Sequence, residues 1–300
     1  MQIGIDLGAS KIESVLLDDN GNEHHRERIE VPKDYKNTLD VIKKIVIELE
    51  RKAGKELPVG VCHPGIHSIQ TGLVKNAPNS FWINGKPLQR DLRKEIGKEI
   101  YCENDANCFA LSEAIDGSGK HYKIVFGVIL GSGVGGGLVI DKRIVNGPNG
   151  ITGEWGHNQI PSVCINGTQI KKTNLRVGEI ENYVAGLGLS KDFKHKFKKD
   201  LPANRIFERY RKHDLDAEKL IDEYKDKLAM SLATVVNIID PDVFVFGGGV
   251  SNEIDFLDEI KQKMKKFVAG GEFEGTFLKP KFGDASGVRG AARLARTTNY

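Results

Sequence analysis

One layout occurs twice in this chain, about 120 residues apart, and no other feature limits the fold so strongly. The first copy reads QIGIDLGASKIESVLLDDNGNEHHRERIEV. An apolar run over 3–7 meets a small-residue turn, Gly8-Ala9-Ser10, and a second run follows over 12–17. A DNGN turn at 19–22 leads to a third extended run, so the segment reads as a β-meander. The second copy reads IVFGVILGSGVGGGLVIDKRIVNG. Here the run over 124–130 meets a glycine-rich turn, a strand over 138–140 follows, and Asp141-Lys142 turns into a short return strand. Strand, glycine turn, strand, tight turn, strand, written twice, implies two related domains facing one another.

Helices and strands alternate after each meander. Leu39, Ile42, Val46 and Leu49 mark one helix face ahead of a strand at 59–61. A strand at 100–102 precedes a helix at 106–115, and Leu220, Leu228, Leu232, Val235 and Ile239 line a long helix that ends at Asp240-Pro241. A strand over 243–246 comes next. Mixed sheets covered by helices define an α/β fold. No low-complexity linker interrupts the chain, so short crossings near 110–120 and 285 are expected, with one domain at 1–115 plus 286–300 and the other at 116–285. At 300 residues there is room for two domains, since one typically takes roughly 100–200.

Composition excludes several function classes. The formal charge of +3 argues for neither nucleic acid nor membrane. The densest basic run, KDFKHKFKK at 191–199, carries Phe193 and Phe197 four apart, the mark of an amphipathic helix with a solvated basic face. Four cysteines without disulfide or CxxC spacing suit a reduced, cytoplasmic setting. No signal peptide and no stretch of ~20 apolar residues is present.

Five glycine-rich or polar segments carry the chemistry. In Asp6-Leu7-Gly8-Ala9-Ser10-Lys11, successive N–H groups can form an anion-binding concavity. Asp6, closing a strand, is placed to hold Mg²⁺ through water. The second turn, Gly131-Ser132-Gly133-Val134-Gly135-Gly136-Gly137, contains a GxGxxG match. That fingerprint must open a helix to bind a dinucleotide, and the strand after it points to a phosphate-cradling hairpin instead. Gly247-Gly248-Gly249 ends a strand and leaves a flat surface for an adenine or ribose. In Glu103-Asn104-Asp105-Ala106-Asn107, Asp105 is either a helix N-cap or the carboxylate that accepts a proton from an attacking hydroxyl. Asn104 offers a donor and an acceptor to a neighbouring hydroxyl. Gly153-Glu154-Trp155-Gly156-His157 resembles a ligand-lining loop, and its His–Glu pair suits a metal site or an ion pair equally.

Taken together, IDLGASK, VKNAPNS, ENDAN, LGSGVGGG, GEWGH, DPDVFVFGGGVSN and SGVRGAA resemble the ROK sugar kinases of the sugar kinase, Hsp70 and actin superfamily, over essentially the whole chain. The NDANCFALSEAIDG, GEWGHN and VVNIIDPDVFVFGGG segments are most similar to the bacterial fructokinase/mannokinase branch. The resemblance implies two RNase H-like lobes around a cleft, with a helix at 287–295 returning to the N-terminal lobe. It implies an ATP- and Mg²⁺-dependent kinase acting on the 6-hydroxyl of a free hexose. Fructose is the first acceptor expected, then mannose, glucose and N-acetylhexosamines. Asp105 would be the base, and Asn79, Asn104, Glu154, His157 and Glu181 would contact the sugar. The turns at 6–11 and 131–137 would hold the phosphates, with 247–249 near the nucleoside. A homodimer is the family's usual form.

One departure is large. The family commonly builds a structural zinc site from the histidine of the GH pair and three cysteines in a CxCGxxGCxE pattern. His157 is present, but the cysteine positions read Lys172, Asn174 and Glu179, and Cys164 alone cannot replace three thiolates. Zinc needs four ligands, so no structural zinc is expected. ROK relatives also include repressors with an N-terminal helix-turn-helix; with the sequence opening on the strand itself, no such domain is expected. A sugar sensor without catalysis is the remaining alternative.

Overall fold

The computed structural model describes residues 1–160 and 179–297. In chain order the first half contains β1 (Gln2–Leu7), β2 (Lys11–Leu17), β3 (Glu23–Glu30), α1 (Tyr35–Ala53), β4 (Val59–His63), β5 (Ile66–His67), β6 (Val74–Lys75), α2 (Leu88–Ile96), β7 (Ile100–Asn104) and α3 (Asp105–Ile115). Then come β8 (Ile124–Leu130), β9 (Val134–Ile140), β10 (Arg143–Ile144), α4 (Glu181–Val184), α5 (Gly186–Phe197), α6 (Ala203–Arg211) and α7 (Leu215–Ile239). The chain finishes with β11 (Val243–Gly247), α8 (Gly249–Glu253), α9 (Leu257–Met264), β12 (Thr276–Leu278) and α10 (Ser286–Thr297).

The repeat is real at the level of topology. One sheet has the order β3-β2-β1-β4-β7 and the other β10-β9-β8-β11-β12. In the first, β2 is antiparallel to β1 and β3, while β4 runs parallel to β1 and β7. In the second, β9 and β10 are antiparallel and β11 is parallel to β8 and β12. Read from the meander outward, both sheets follow one plan. As expected from the strand after it, the GxGxxG stretch opens no helix: Val134–Ile140 is β9.

The chain divides into two compact units. Unit 1 comprises Met1–Lys123, Gly137–Thr152 and Lys281–Tyr300, and unit 2 Ile124–Gly136 and Gly153–Pro280. The boundary at 115/116 expected from the sequence puts 137–152 in the second domain. That stretch packs within unit 1: a Cβ on Gly137 would fall 2.7 Å from the Ala106 carbonyl oxygen, and Lys142 Nζ donates to the carbonyls of Ala114 (2.6 Å) and Tyr122 (3.3 Å).

Unit 1 has apolar packing on both faces of its sheet. Ile3, Ile5, Val59 and Val61 join the buried face of α1 in one core, where Ile42 and Val46 are inaccessible. Each such side chain stabilises the fold by about 1.5–3 kcal/mol. The ends of α1 are set locally, by the Asp34 carboxylate accepting the Asn37 N–H (2.9 Å) and by Gly54 in the left-handed region at φ 68°. On the other face Val15 and Leu17 meet Val288 and Ala292 of α10. That helix lies directly on the strands, since a Cβ on Gly60 would stand 1.9 Å from the Ala291 carbonyl oxygen.

Polar staples finish unit 1. Arg293 of α10, almost fully buried, meets Asp116 through Nε and Nη2 (2.8 and 2.7 Å) and donates to the Gln2 amide oxygen at 2.8 Å. The Glu113 carboxylate, wholly buried, accepts the N–H of Ser118 (2.9 Å), the N–H of Lys281 (3.0 Å) and the Ser286 hydroxyl (2.7 Å). One carboxylate thereby holds the chain shortly before it leaves unit 1 and where it returns.

Unit 2 is organised by aromatic side chains. Phe244 of β11 meets Phe126 of β8 edge-on at 5.7 Å and Phe277 of β12 at 5.4 Å, and Trp155 adds an edge contact to Phe126 at 6.4 Å. α7 is capped by the Asp214 carboxylate and ends at Asp240 in a left-handed conformation ahead of Pro241. The basic run at 191–199 falls in α5 and just beyond it, with Phe193 buried and 5.0 Å from the Phe197 ring. Among the described residues no helix is long and apolar enough to cross a membrane.

Candidate functional site

In unit 1 the candidate residues gather at the C-terminal ends of β1 and β7. Asp6 sits opposite Glu13 on β2 and Cys62 on β4. Burial raises its carboxyl from 3.8 to about 6; the Cys62 thiol, Lys11 and Arg28 oppose the rise and Glu13 adds to it. Glu13 is neutralised by Arg26 and Arg28, whose Nε atoms lie 2.5 and 2.7 Å from its two oxygens. Asp6 Oδ2 lies over Gly287 at the start of α10, where a Cβ would be 3.2 Å away. A buried carboxylate next to a glycine turn in sequence, with its ionised form disfavoured by burial, is a donor that fits Mg²⁺. The turn is closed by Gly8 N–H donating to the Lys11 carbonyl (3.0 Å), with Ala9 half-buried and Ser10 and Lys11 exposed.

The second unit 1 cluster shows which residue caps α3. The N-cap of α3 is Asn104: its side-chain oxygen accepts the N–H groups of Ala106 (2.8 Å) and Asn107 (3.2 Å). Asp105 is the first helical residue, with Oδ1 2.9 Å from the Ala106 nitrogen. Asn104 is also tied through its amide N–H to the Gly65 carbonyl (2.9 Å). Its oxygen is thus committed to the helix, and what it could still offer a sugar is an N–H. Glu103 is spent structurally, accepting from Asn107 (3.0 Å) and Asn146 (2.6 Å). Asn79 lies exposed in the 3₁₀ turn at Pro78–Ile83.

Unit 2 contributes the second turn and an acidic cluster. Gly131 N–H donates to the Gly133 carbonyl (2.9 Å), and the Val134 N–H donates to Glu181 Oε2 (2.9 Å). The carbonyls of Gly131 and Ser132 accept from Gly186 (2.8 Å) and Leu187 (3.4 Å) at the start of α5. Gly135 and Gly136 belong to β9 and lie against Trp155, whose indole N–H donates to the Gly135 carbonyl (2.9 Å). His157 stands between two carboxylates, Nε2 3.5 Å from Glu154 and Nδ1 3.7 Å from Glu179. Burial raises the Glu154 carboxyl; His157 opposes the rise and Glu181 adds to it.

A cavity of about 580 Å³ opens beside this turn, bounded by Gly131, Ser132, Leu187, Asn204, Gly249 and Asn252. Gly248, at φ 89°, turns β11 into α8 with no room for a side chain, because a Cβ would be 2.5 Å from the Leu130 carbonyl oxygen. Gly247 ends β11, buried, so of the glycine trio only Gly249 faces the cavity.

Sequence reasoning missed the walls supplied by the starts of α5 and α6. The Gly-Leu-Gly-Leu-Ser stretch at 186–190 was the available signal. The Glu179 carboxylate faces His157, a role that its position among the substituted cysteines does not reveal. Lys172, Asn174 and Cys164 lie outside the described residues. Among the described residues no group of three or more His, Cys, Asp or Glu side chains is arranged to hold a metal ion.

Two sheets of one plan, each with a glycine turn after its first strand, define the mixed α/β fold of the actin, Hsp70 and sugar kinase superfamily. The model of the ROK family matches residues 2–298, and the chain belongs to that family. It is 35% identical over 302 residues to an N-acetyl-D-glucosamine kinase of Yersinia pseudotuberculosis, covering 98% of each chain. Among solved structures it is similar to a ROK hexokinase from Thermus thermophilus, with 26% identity, a TM-score of 0.86 and coverage of 98% and 97%. A ROK glucokinase from Streptomyces griseus, solved with glucose and AMPPNP, has 27% identity, a TM-score of 0.75 and coverage of 98% and 99%.

Proposed function

We propose that this chain transfers the γ-phosphoryl group of ATP to a hexose hydroxyl, the 6-hydroxyl first, and that N-acetyl-D-glucosamine is its preferred acceptor. The relatives favour this acceptor over fructose, which the sequence motifs had put first. One observation carries the chemistry: Asn104, not Asp105, caps α3. Asp105 is the first residue of that helix, which sets its carboxylate at the tip of the strand where a base belongs.

Asp105 takes the proton from the attacking hydroxyl and aligns its oxygen, a contribution of about 10²–10⁴-fold. The N–H of Asn104 and the carboxylates of Glu154 and Glu181 bind and orient sugar hydroxyls, and His157 is held for the same purpose by Glu154 and Glu179. The turns at 6–11 and 131–137 present N–H groups to the phosphates, and the 580 Å³ cavity takes the nucleoside. Asp6 would hold Mg²⁺, which when bound would neutralise phosphate charge.

The test is ADP release from MgATP with N-acetylglucosamine, N-acetylmannosamine, glucose, mannose and fructose. Highest kcat/KM on N-acetylglucosamine is expected, with Asp105→Asn lowering kcat about 10²–10⁴-fold while sugar still binds. Highest kcat/KM on fructose would restore the first acceptor, and no turnover on any of the five would sink the kinase reading.

A further inference from the structure

The second glycine turn is already engaged by an anion of the protein itself. Glu181 Oε2 accepts the Val134 N–H at 2.9 Å, and a Cβ on Gly133 would fall 2.6 Å from that same oxygen. The carboxylate lies flat on the turn, in a place that only a glycine at 133 leaves open. A turn of this kind binds phosphate through its backbone N–H groups, and one of those groups is occupied by a negative charge.

The engagement is built in. Glu181 opens α4, and the chain passes from there straight to Gly186, whose N–H donates to the Gly131 carbonyl (2.8 Å). The segment from 181 to 186 therefore clasps the turn at both ends, with the Glu181 side chain on Val134 and the Gly186 backbone on Gly131. Glu181 also has a like-charged neighbour in Glu154, which lies 3.5 Å from His157. A carboxylate has about four acceptor sites, and the Val134 N–H and His157 fill only part of those on Glu181 and Glu154. A polyol supplies hydroxyl donors, and charge-assisted hydrogen bonds of that kind are roughly twice as strong as neutral ones.

We propose that Glu181 is a gate on nucleotide phosphate: without sugar its carboxylate holds the Val134 N–H and repels phosphate, and sugar hydroxyls draw it off the turn. Sugar binding then precedes productive docking of the triphosphate. ATP is protected from transfer to water while the sugar site is empty. This inference rests on the reading of the 131–137 turn as a phosphate cradle and adds a regulatory role to a residue whose contact with sugar was already expected. Glu181 acts here as a positioning residue, through Val134.

The experiment measures the Kd of MgAMPPNP with and without N-acetylglucosamine, and sugar-free ATP hydrolysis, for the wild type, Glu181→Gln and Gly133→Ala. Glu181→Gln removes the charge. Gly133→Ala leaves Glu181 intact but pushes its flexible end off the Val134 N–H. Sugar-free affinity is expected to tighten about tenfold in Glu181→Gln, equivalent to one charge-assisted contact removed from the competition. Gly133→Ala should move the same way by a smaller factor, and sugar-free hydrolysis should rise in both. A residue that merely shaped the turn would give the opposite sign. Unchanged or weaker sugar-free binding in Glu181→Gln overturns the gate while leaving the kinase reading intact. If that variant fails to fold, Gly133→Ala decides on the same criterion. A wild type that binds no MgAMPPNP, with or without sugar, overturns the phosphate reading and the gate with it.

Discussion

The two glycine turns look alike in sequence and are built on opposite principles. The first carries its own acid: Asp6 lies next to last in the strand that runs into the turn, and one hydrogen bond from Gly8 to Lys11 closes the loop. Little presses on it, since a Cβ on Gly8 would meet only the Lys11 carbonyl oxygen, at 3.0 Å. The second has no acid of its own. Its carboxylate, Glu181, comes from a helix far along the chain, and its shape comes from packing, with a Cβ on Gly136 falling 2.7 Å from both Trp155 and the Gly153 carbonyl oxygen. A turn with a local acid can be open and weakly packed. A turn that borrows its acid has to be held by tertiary contacts, which gives those contacts the opportunity to regulate it.

The sharpest way to break this comparison is to remove each acid in turn. Asp6→Asn keeps the size of the side chain and loses the charge that fits Mg²⁺. It is expected to lower kcat about 100-fold or more, the scale of losing one preorganised electrostatic contact in a transition state. Its effect belongs to turnover, whereas that of Glu181→Gln belongs to sugar-free nucleotide affinity. Steady-state kinetics with saturating sugar separates the two, and an Asp6→Asn enzyme with near-native kcat would mean the first turn does not carry the metal.

Next in size is the difference in packing. Gly136→Ala forces a methyl group against Trp155 and backbone, and such overpacking costs about 1–3 kcal/mol. Gly8→Ala meets one contact at 3.0 Å and should change stability by less than about 1 kcal/mol. Urea unfolding of both variants measures the gap. Equal costs would show that the first turn is as tightly constrained as the second.

The same contrast explains what could be read from the sequence. β8 was legible to the residue at 124–130, and the helices α1 and α7 followed from their apolar spacing, because these elements are decided by their own periodicity. The rejection of a dinucleotide fingerprint held for the same reason, since β9 follows the turn directly. What failed to show was everything set by contacts between distant segments. Composition cannot tell whether Asn104 or Asp105 caps a helix, because both residue types do so readily. Nothing local reveals that the start of α5 lines a cavity with Gly131 and Gly249, or that Glu181 lies on Val134. The placement of 137–152 depends on Gly137 fitting against α3, a contact with no local signature.

The smallest expected effect tests whether Asp6 is poised by its surroundings. Folding raises its carboxyl from 3.8 to about 6, chiefly by burial. In the window between those two values the native chain holds the Asp6 proton more tightly than the unfolded chain does. Stability linked to this group is therefore present at the acid end and is lost as pH rises through about 6. Asn carries no such proton. In magnesium-free buffer Asp6→Asn should gain Tm relative to the wild type from about pH 4 to pH 7, then run parallel to it. The measurement is the difference between the two melting curves across that range, which cancels every other titrating group that the variants share. A cation at Asp6 favours the ionised carboxylate, so Mg²⁺ should flatten the difference by stabilising the wild type at the neutral end. A difference that stays constant from acid to neutral would mean that folding leaves the Asp6 carboxyl unperturbed, and the first turn would then hold an ordinary surface acid.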